Sequence, residues 1–188
     1  MRRLSINLCG IDEAGRGPLA GHLVVAGVIL HSRIAGLNDS KKLTEKTRKS
    51  LFEKIIQHST YHYVVWSAND IDTLGISHCI KSSLISIKSI LLAEKYIFDG
   101  NSSFGTKGIE TLIKADTQIT EVMAASIIAK TIRDNLLLNE ADRFPKFSFA
   151  SHKGYGTAKH IKEIQEHGIT ELHRKSFCKK ILENNTLF

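Results

Sequence analysis

The chain has 188 residues, enough for one domain with a substantial core, and carries 26 Lys and Arg against 19 Asp and Glu, a net charge of +7. Its three cysteines, Cys9, Cys79 and Cys178, are scattered and outside any CxxC spacing, which argues against a disulfide framework or a thiolate zinc site and for a reducing, cytoplasmic setting. The opening MRRLSINLCGIDEAG is too short and polar for a signal peptide, and no run approaches the ~20 apolar residues of a membrane span, so a soluble chain with no membrane partner is expected.

In chain order, Ile6–Asp12 reads as a short strand, and Leu23–Leu30 (LVVAGVIL) as a nearly continuous buried one. Gly15, Gly17, Pro18 and Gly21 make a turn between them. Leu43–Ser59 is predicted helical, with Thr44 or Ser40 available as the cap. Tyr61–Trp66 gives a third strand, and Gly75–Ala93 a long helix through Ile76, Ile80, Leu84, Ile87 and Leu91. Tyr96–Asp99 and Ile109–Ala115 are short strands that end at Asp99 and just before Asp116. Glu121–Arg143 is a strong helix, and a basic helix runs from about Thr157 to His167. This order describes a mixed α/β sheet of five strands flanked by helices. Residues 1–143 would form the main domain and 144–188 a helical C-terminal extension, the two readable as one continuous domain.

Four acids cluster at predicted strand ends: Asp12, Glu13, Asp99 and Asp116. Taken singly, each reads as a turn residue or helix cap. Taken together in a basic chain, they read as ligands gathered beyond the carboxyl ends of parallel strands. Two carboxylates about 4 Å apart repel by ~1 kcal/mol in water and ~4 kcal/mol at an effective dielectric of about 20, so convergence calls for hard divalent cations. Two such ions can activate a water and stabilise a leaving phosphodiester oxygen. Neighbouring strand residues face opposite sides, so either the strand breaks at Glu13 or Glu13 contributes through its backbone carbonyl.

The stretch GRGPLAG has a GxGxxxG form, but a strand-like run follows it where a dinucleotide site needs a helix. Gly15 and Gly17 are better used to bring backbone N–H and C=O groups close to a ligand. Beside a sugar, such groups can meet a 2′-hydroxyl, the feature that separates RNA from DNA. The last quarter is basic. Eight Lys and Arg between Lys146 and Lys180 face only Glu163, Glu166 and Glu171, which reads as a solvated helical face or a phosphate-facing surface. His152, His160, His167 and His173 show no metal-ligand spacing and are expected to be structural or phosphate-facing.

With these residues in hand, the chain resembles the type 2 ribonucleases H, in their bacterial HII branch. The likeness lies in GIDEAGRGPLAG at 10–21, LNDSKKL at 37–43, FDGN at 98–101, KAD at 114–116, ASIIAKTIRD at 125–134 and SHKGYGTAKH at 151–160. The resemblance implies a ribonuclease H-like mixed sheet. It implies that Asp12, Glu13, Asp99 and Asp116 are metal-binding catalytic acids served by Mg²⁺ or Mn²⁺, with no organic cofactor. Gly15, Arg16 and Gly17 match the family's ribonucleotide-sensing loop, and Tyr155 the tyrosine set against the ribose. Ser40, Lys41, Lys42, Lys130 and Arg133 are expected to contact the substrate. That substrate is RNA in RNA/DNA hybrids, or single ribonucleotides in duplex DNA, cut on the 5′ side to leave 3′-hydroxyl and 5′-phosphate ends by a monomer. Two positions depart from the family pattern: Ala115, where KGD is common, and Gly156, where proline follows the tyrosine.

Overall fold

A computed structural model describes residues 7–38, 40 and 43–184. Five strands form one sheet in the order β3-β2-β1-β4-β5: β1 (Leu8–Ala14), β2 (Leu23–Leu30), β3 (Ser59–Trp66), β4 (Lys95–Asp99) and β5 (Glu110–Leu112). The first three strands form an antiparallel meander, and β4 and β5 run parallel to β1. The parallel arrangement of strands one, four and five, on which convergence of the acids depended, is therefore present. The first strand does not end at Asp12 as predicted; its ladder with β2 continues through Glu13 to Ala14. The fifth strand is shorter than predicted, and a 3-10 turn at Ala115–Thr117 carries Asp116 instead.

The continuous apolar run of β2 follows from burial on both faces. Val25 and Ile29 pack with Cys9 and Ile11 on one face, against helices α2 (Ala68–Leu74) and α3 (Ile76–Ile90). Val24, Ala26 and Val28 pack on the other face against α1 (Glu45–Gln57) and α4 (Thr120–Ala141). Thr44 caps α1 through its side chain. α2 was not predicted; Ser67 and Asp70 form a reciprocal capping box that starts it. Among the described residues, no helix is long and apolar enough to cross a membrane.

Beyond α4 come α5 (Phe149–His152), α6 (Ala158–His167) and α7 (Lys175–Asn184). Only α6 was placed within the expected helical extension; α5 is a single turn, and α7 begins at Lys175 inside the basic stretch read as a solvated helical face or a phosphate-facing surface. This part shares a core with what precedes it. Phe147, Phe149, Ile164, Leu172 and Cys178 bury with Ala20 and Leu137. His152, His160 and His173 lie inside it, and the hydrogen bonds that link His160 and His173 assign their tautomers. The Thr170 N–H donates to Nδ1 of His173 at 3.0 Å, so neutral His173 carries its proton on Nε2. That proton is donated to Nε2 of His160 at 3.0 Å, and Nδ1 of His160 donates to the Tyr155 carbonyl at 2.9 Å. The histidines expected to be structural or phosphate-facing are thus structural at these three positions.

Candidate active site

Three acids meet at the carboxyl ends of the central parallel strands. Asp12 lies near the end of β1, Asp99 closes β4, and Asp116 sits in the turn beyond β5. Lys114 takes a left-handed conformation, φ 59°, and turns the chain so that the Ala115 N–H donates to Oδ1 of Asp99 at 2.9 Å. That bond ties the end of β4 to the turn carrying Asp116. Since the left-handed residue is Lys114, alanine at 115 needs no glycine conformation, and its methyl buries with Ile97 and Val122. One carboxylate oxygen from each of Asp12, Asp99 and Asp116 lies within 4.8 Å of the others.

The support for Asp12 comes from α4 and depends on a glycine. A Cβ on Gly10 would meet the backbone between Glu121 and Val122 at 2.3 Å, so the helix seats directly on β1 there. Two residues along the strand and four along the helix both advance about 6 Å. Ser126 therefore arrives beside Asp12 and hydrogen-bonds its carboxylate. Ser126 Oγ is also 2.8 Å from Ser40 Oγ. With Asp12 ionised and accepting, Ser126 spends its proton on Asp12, and Ser40 donates to Ser126. Asp12 is only 6 % exposed. Burial, then the charges of Glu13 and Asp99, push its carboxyl well above the usual range, while the Ser126 bond works the other way.

Glu13 stands outside this group. Because the ladder stays regular, the break at Glu13 is ruled out, and its side chain takes the face opposite Asp12, where Cys9 and Ile11 bury. Its Oε1 lies 3.6 Å from Nη1 of Arg16, whose guanidinium sits 5.5 Å from the Phe104 ring centre. Its Oε2 is buried and accepts no hydrogen bond among the described residues. Burial raises the Glu13 carboxyl to about 7; Arg16 lowers it and Asp99 raises it. An all-oxygen donor set of three converging carboxylates, beside a fourth with an unsatisfied buried oxygen, fits a hard divalent cation.

The glycine turn joins β1 to β2. Gly15 has φ +92°, and a Cβ there would fall 2.2 Å from the His22 carbonyl oxygen, so no other residue fits. A Cβ on Gly17 would meet nothing within 4 Å, so nothing inside the protein demands glycine at 17. The turn is held from the C-terminal part. The Gly154 carbonyl accepts from the N–H groups of Leu19 and Ala20, at 2.9 and 3.2 Å. Arg174, fully buried, donates to the carbonyls of Gly15, Arg16 and Gly21 at 2.5–3.2 Å. The sequence marked Arg174 only as one cation of a basic stretch. Its partners are carbonyls more than 150 positions away, with no side-chain identity, so no spacing rule could have shown it.

Tyr155 is 42 % exposed, its ring flanked by the Lys130 ammonium at 5.7 Å and the Arg133 guanidinium at 5.4 Å. Lys130 and Arg133 share Asp134, at 3.0 and 3.2 Å. Two residues expected to touch substrate are instead interior. Ser40 is 2 % exposed, and its hydroxyl is engaged with Ser126 behind Asp12. Arg133 is 0 % exposed, inserted between Asp134 and the Ala20 carbonyl, so it meets the surface only through Tyr155. Lys41 and Lys42 lie outside the described residues.

Comparison with known proteins gives one consistent relation. A family profile described as Ribonuclease HII matches residues 9–180. A protein named Ribonuclease HII from Sulfurovum sp. (strain NBC37-1) is 51% identical over 181 residues, 96% of each chain. Among solved structures, the ribonuclease H2 from Pyrococcus horikoshii OT3 superposes with a TM-score of 0.80 at 25% identity, over 97% of this chain and 100% of that one. Bst-RNase HIII in complex with Mn²⁺ gives 0.72 at 20% identity, over 96% of this chain and 70% of that one, a likeness of fold alone.

Proposed function

The chain belongs to the ribonuclease HII family, with the ribonuclease H fold and the hydrolase class of that family, and from this premise we propose that it is a metal-dependent endoribonuclease. It cleaves the RNA strand of RNA/DNA hybrids and nicks duplex DNA on the 5′ side of a single ribonucleotide, leaving 3′-hydroxyl and 5′-phosphate ends. The observation that carries the reading is the convergence of Asp12, Asp99 and Asp116 within 4.8 Å, next to a turn that only glycine can make at Gly15.

Asp12, Asp99 and Asp116 would hold Mg²⁺ or Mn²⁺, two ions during catalysis, as Mn²⁺ is held by the related RNase HIII. Bound cations would supply Lewis-acid stabilisation of charge on the phosphate oxygens and a more acidic water. The chain's own residues do the rest. Ser126, backed by Ser40, keeps the Asp12 carboxylate oriented. Glu13 completes the acidic surround, through its backbone carbonyl or its unsatisfied Oε2, and holds Arg16. Gly15, Arg16 and Gly17 present backbone groups to the 2′-hydroxyl, and Tyr155 packs its exposed ring against the ribose. Lys130, with Lys41 and Lys42, meets phosphates, and Arg133 backs Tyr155. The part beyond residue 143 serves as the substrate-binding extension. The protein acts as a monomer in the cytoplasm, in ribonucleotide removal and DNA repair, which suits its three buried free thiols.

The test is a duplex carrying one ribonucleotide, incubated with Mg²⁺, Mn²⁺ or chelator, with the cut mapped. A metal-dependent nick 5′ to the ribonucleotide, absent from an all-DNA control, is expected. Cleavage of both duplexes would make the chain a general nuclease, and metal-independent binding without cleavage a binding module. Tyr155→Ala should depress cleavage at the lone ribonucleotide well beyond its loss of duplex affinity.

A further inference from the structure

Arg174 is fully buried, yet among the described residues no carboxylate pairs with its guanidinium; carbonyl oxygens satisfy it instead. Nη2 donates to Gly15 O at 2.5 Å and Gly21 O at 3.0 Å, Nη1 to Arg16 O at 3.1 Å, and Nε to Gly21 O at 3.2 Å. One planar fork therefore spans both legs of the turn between β1 and β2. Burying a guanidinium with no directly paired carboxylate is costly, and Asp72 helps only through its charge. Desolvation, followed by the charge of Arg133, brings the Arg174 guanidinium down to about 10.

The consequence lies on the other side of the turn. Carbonyl and N–H point in opposite directions across a planar trans peptide. If the carbonyls of Gly15 and Arg16 turn inward to Arg174, the N–H groups of Arg16 and Gly17 turn outward. Arg174 is itself placed from two sides. Its N–H donates to Leu19 O at 2.8 Å, and Leu172 O accepts from the Gly21 N–H at 2.8 Å. Immediately after it, Asp72 of α2 accepts from the N–H groups of Lys175 and Ser176, at 2.7 and 3.0 Å, and so anchors the start of α7.

We infer that Arg174 is a positioning residue for the reaction: anchored through α7 by Asp72, its guanidinium sets the Gly15–Gly17 peptides so that their outward N–H groups meet the ribonucleotide beside the acidic cluster. The inference rests on the function proposed above. Lysine keeps the charge but offers a single ammonium in place of the fork that spans the turn.

The experiment uses the full chain with Arg174→Lys, Arg174→Met and Asp72→Ala. It measures melting temperature, amide hydrogen exchange over residues 15–21, and kcat and KM on a duplex with one ribonucleotide. For both Arg174 variants, faster exchange in 15–21 and a roughly 10- to 100-fold loss of kcat at nearly constant KM are expected, the size of a misplacement of about 1 Å. Asp72→Ala, which leaves Arg174 and the acids themselves in place, should keep the fold and show the same pattern at smaller amplitude, which decides the matter if the Arg174 variants fail to fold. Full activity in Arg174→Lys would mean that charge alone matters, and would overturn the positioning role. So would unchanged exchange in 15–21, or a loss of kcat that only tracks the folded fraction. A wild-type chain that does not nick defeats the proposed function and this inference together; one that nicks while its variants nick equally well defeats this inference alone.

Discussion

Replacing Asp12 by asparagine should make the metal-free protein more stable while abolishing its chemistry. Asp12 is 6 % exposed, and its oxygen lies within 4.8 Å of oxygens from Asp99 and Asp116. At that separation, a pair of full charges repels by ~0.9 kcal/mol in water and ~3.5 kcal/mol at an effective dielectric of about 20. Asp12→Asn removes two of the three repelling pairs within the cluster, and the repulsion from Glu13 besides, and keeps the size and shape of the side chain. Its amide still bonds Ser126. A gain of ~1–3 kcal/mol in chelator is expected, or ~2–10 °C in melting temperature for a chain of this length.

The sign with pH follows from the raised carboxyl of Asp12. The native state holds the Asp12 proton to higher pH than the unfolded chain does, so wild-type stability falls as pH rises above about 3.9 towards the folded value. Asparagine carries no such penalty, so the gap between variant and wild type should widen with pH. Added Mg²⁺ or Mn²⁺ should raise the wild-type melting temperature and move the variant much less. Cleavage should fall at least ~10³-fold, the equivalent of ~4 kcal/mol of transition-state stabilisation. Thermal melts across pH 5–9 in chelator and in metal, with single-turnover cleavage, check each part. A variant no more stable than wild type in chelator, or with an unchanged metal shift, would refute the electrostatic reasoning; intact cleavage would refute the assignment of Asp12.

Glu13→Gln gives a second pH test, since Glu13 titrates at about 7 in the folded chain. In chelator, wild type should lose up to ~3 kcal/mol between pH 4.5 and 8 relative to the variant, read from urea melts at each pH. His173 works in the opposite direction, because burial and neighbouring His160 lower it to about 4. The unfolded chain binds the proton first, so stability is full above about 6.5 and is lost by up to ~3 kcal/mol as pH falls to 4. His173→Gln should flatten that acid limb; an unchanged limb would assign it elsewhere. The two loop glycines should separate structure from function. Gly15→Ala, forced against the His22 carbonyl, should cost more than ~2 kcal/mol in a melt. Gly17→Ala, with open space around it, should leave stability within ~1 kcal/mol yet lower cleavage at least ~10-fold if substrate backbone must approach there.

What could be read in the sequence was what periodicity and residue type encode. The β2 run matched its strand residue for residue because burial on both faces leaves an unbroken apolar signature. The acids were visible as acids, and their meeting followed once β1, β4 and β5 proved parallel. The short helix α2 was missed because its cap, Ser67 with Asp70, lies next to a strand and not before an apolar periodic run. Ser40 and Arg133 were read as surface contacts because polar residue types say nothing about burial when their partners lie far off in sequence. Ser126 is 86 positions from Ser40, and Ala20 is 113 from Arg133. Arg174 is the extreme case, since backbone oxygen is the same at every residue.

The alternation of a β-strand accounts for the division of labour at the junction of β1 and the glycine turn. Asp12 faces α4, where Gly10 lets the helix in and Ser126 can hold the carboxylate. Glu13 must face the other side, and there it takes Arg16, which lies over Phe104. Two adjacent acids thus serve different faces: one points into the cluster and the other holds Arg16, the first side chain of the glycine turn. The turn has no secondary structure of its own to define it, so its shape is imposed from outside by Gly154 and Arg174. The C-terminal part therefore does more than add positive charge for a polyanion. On the proposed function, it would set the distance between the turn at Gly15–Gly17 and the acids beside it. A change that loosens helix α7 should accordingly alter which nucleotide is cut before it alters how tightly duplex is held.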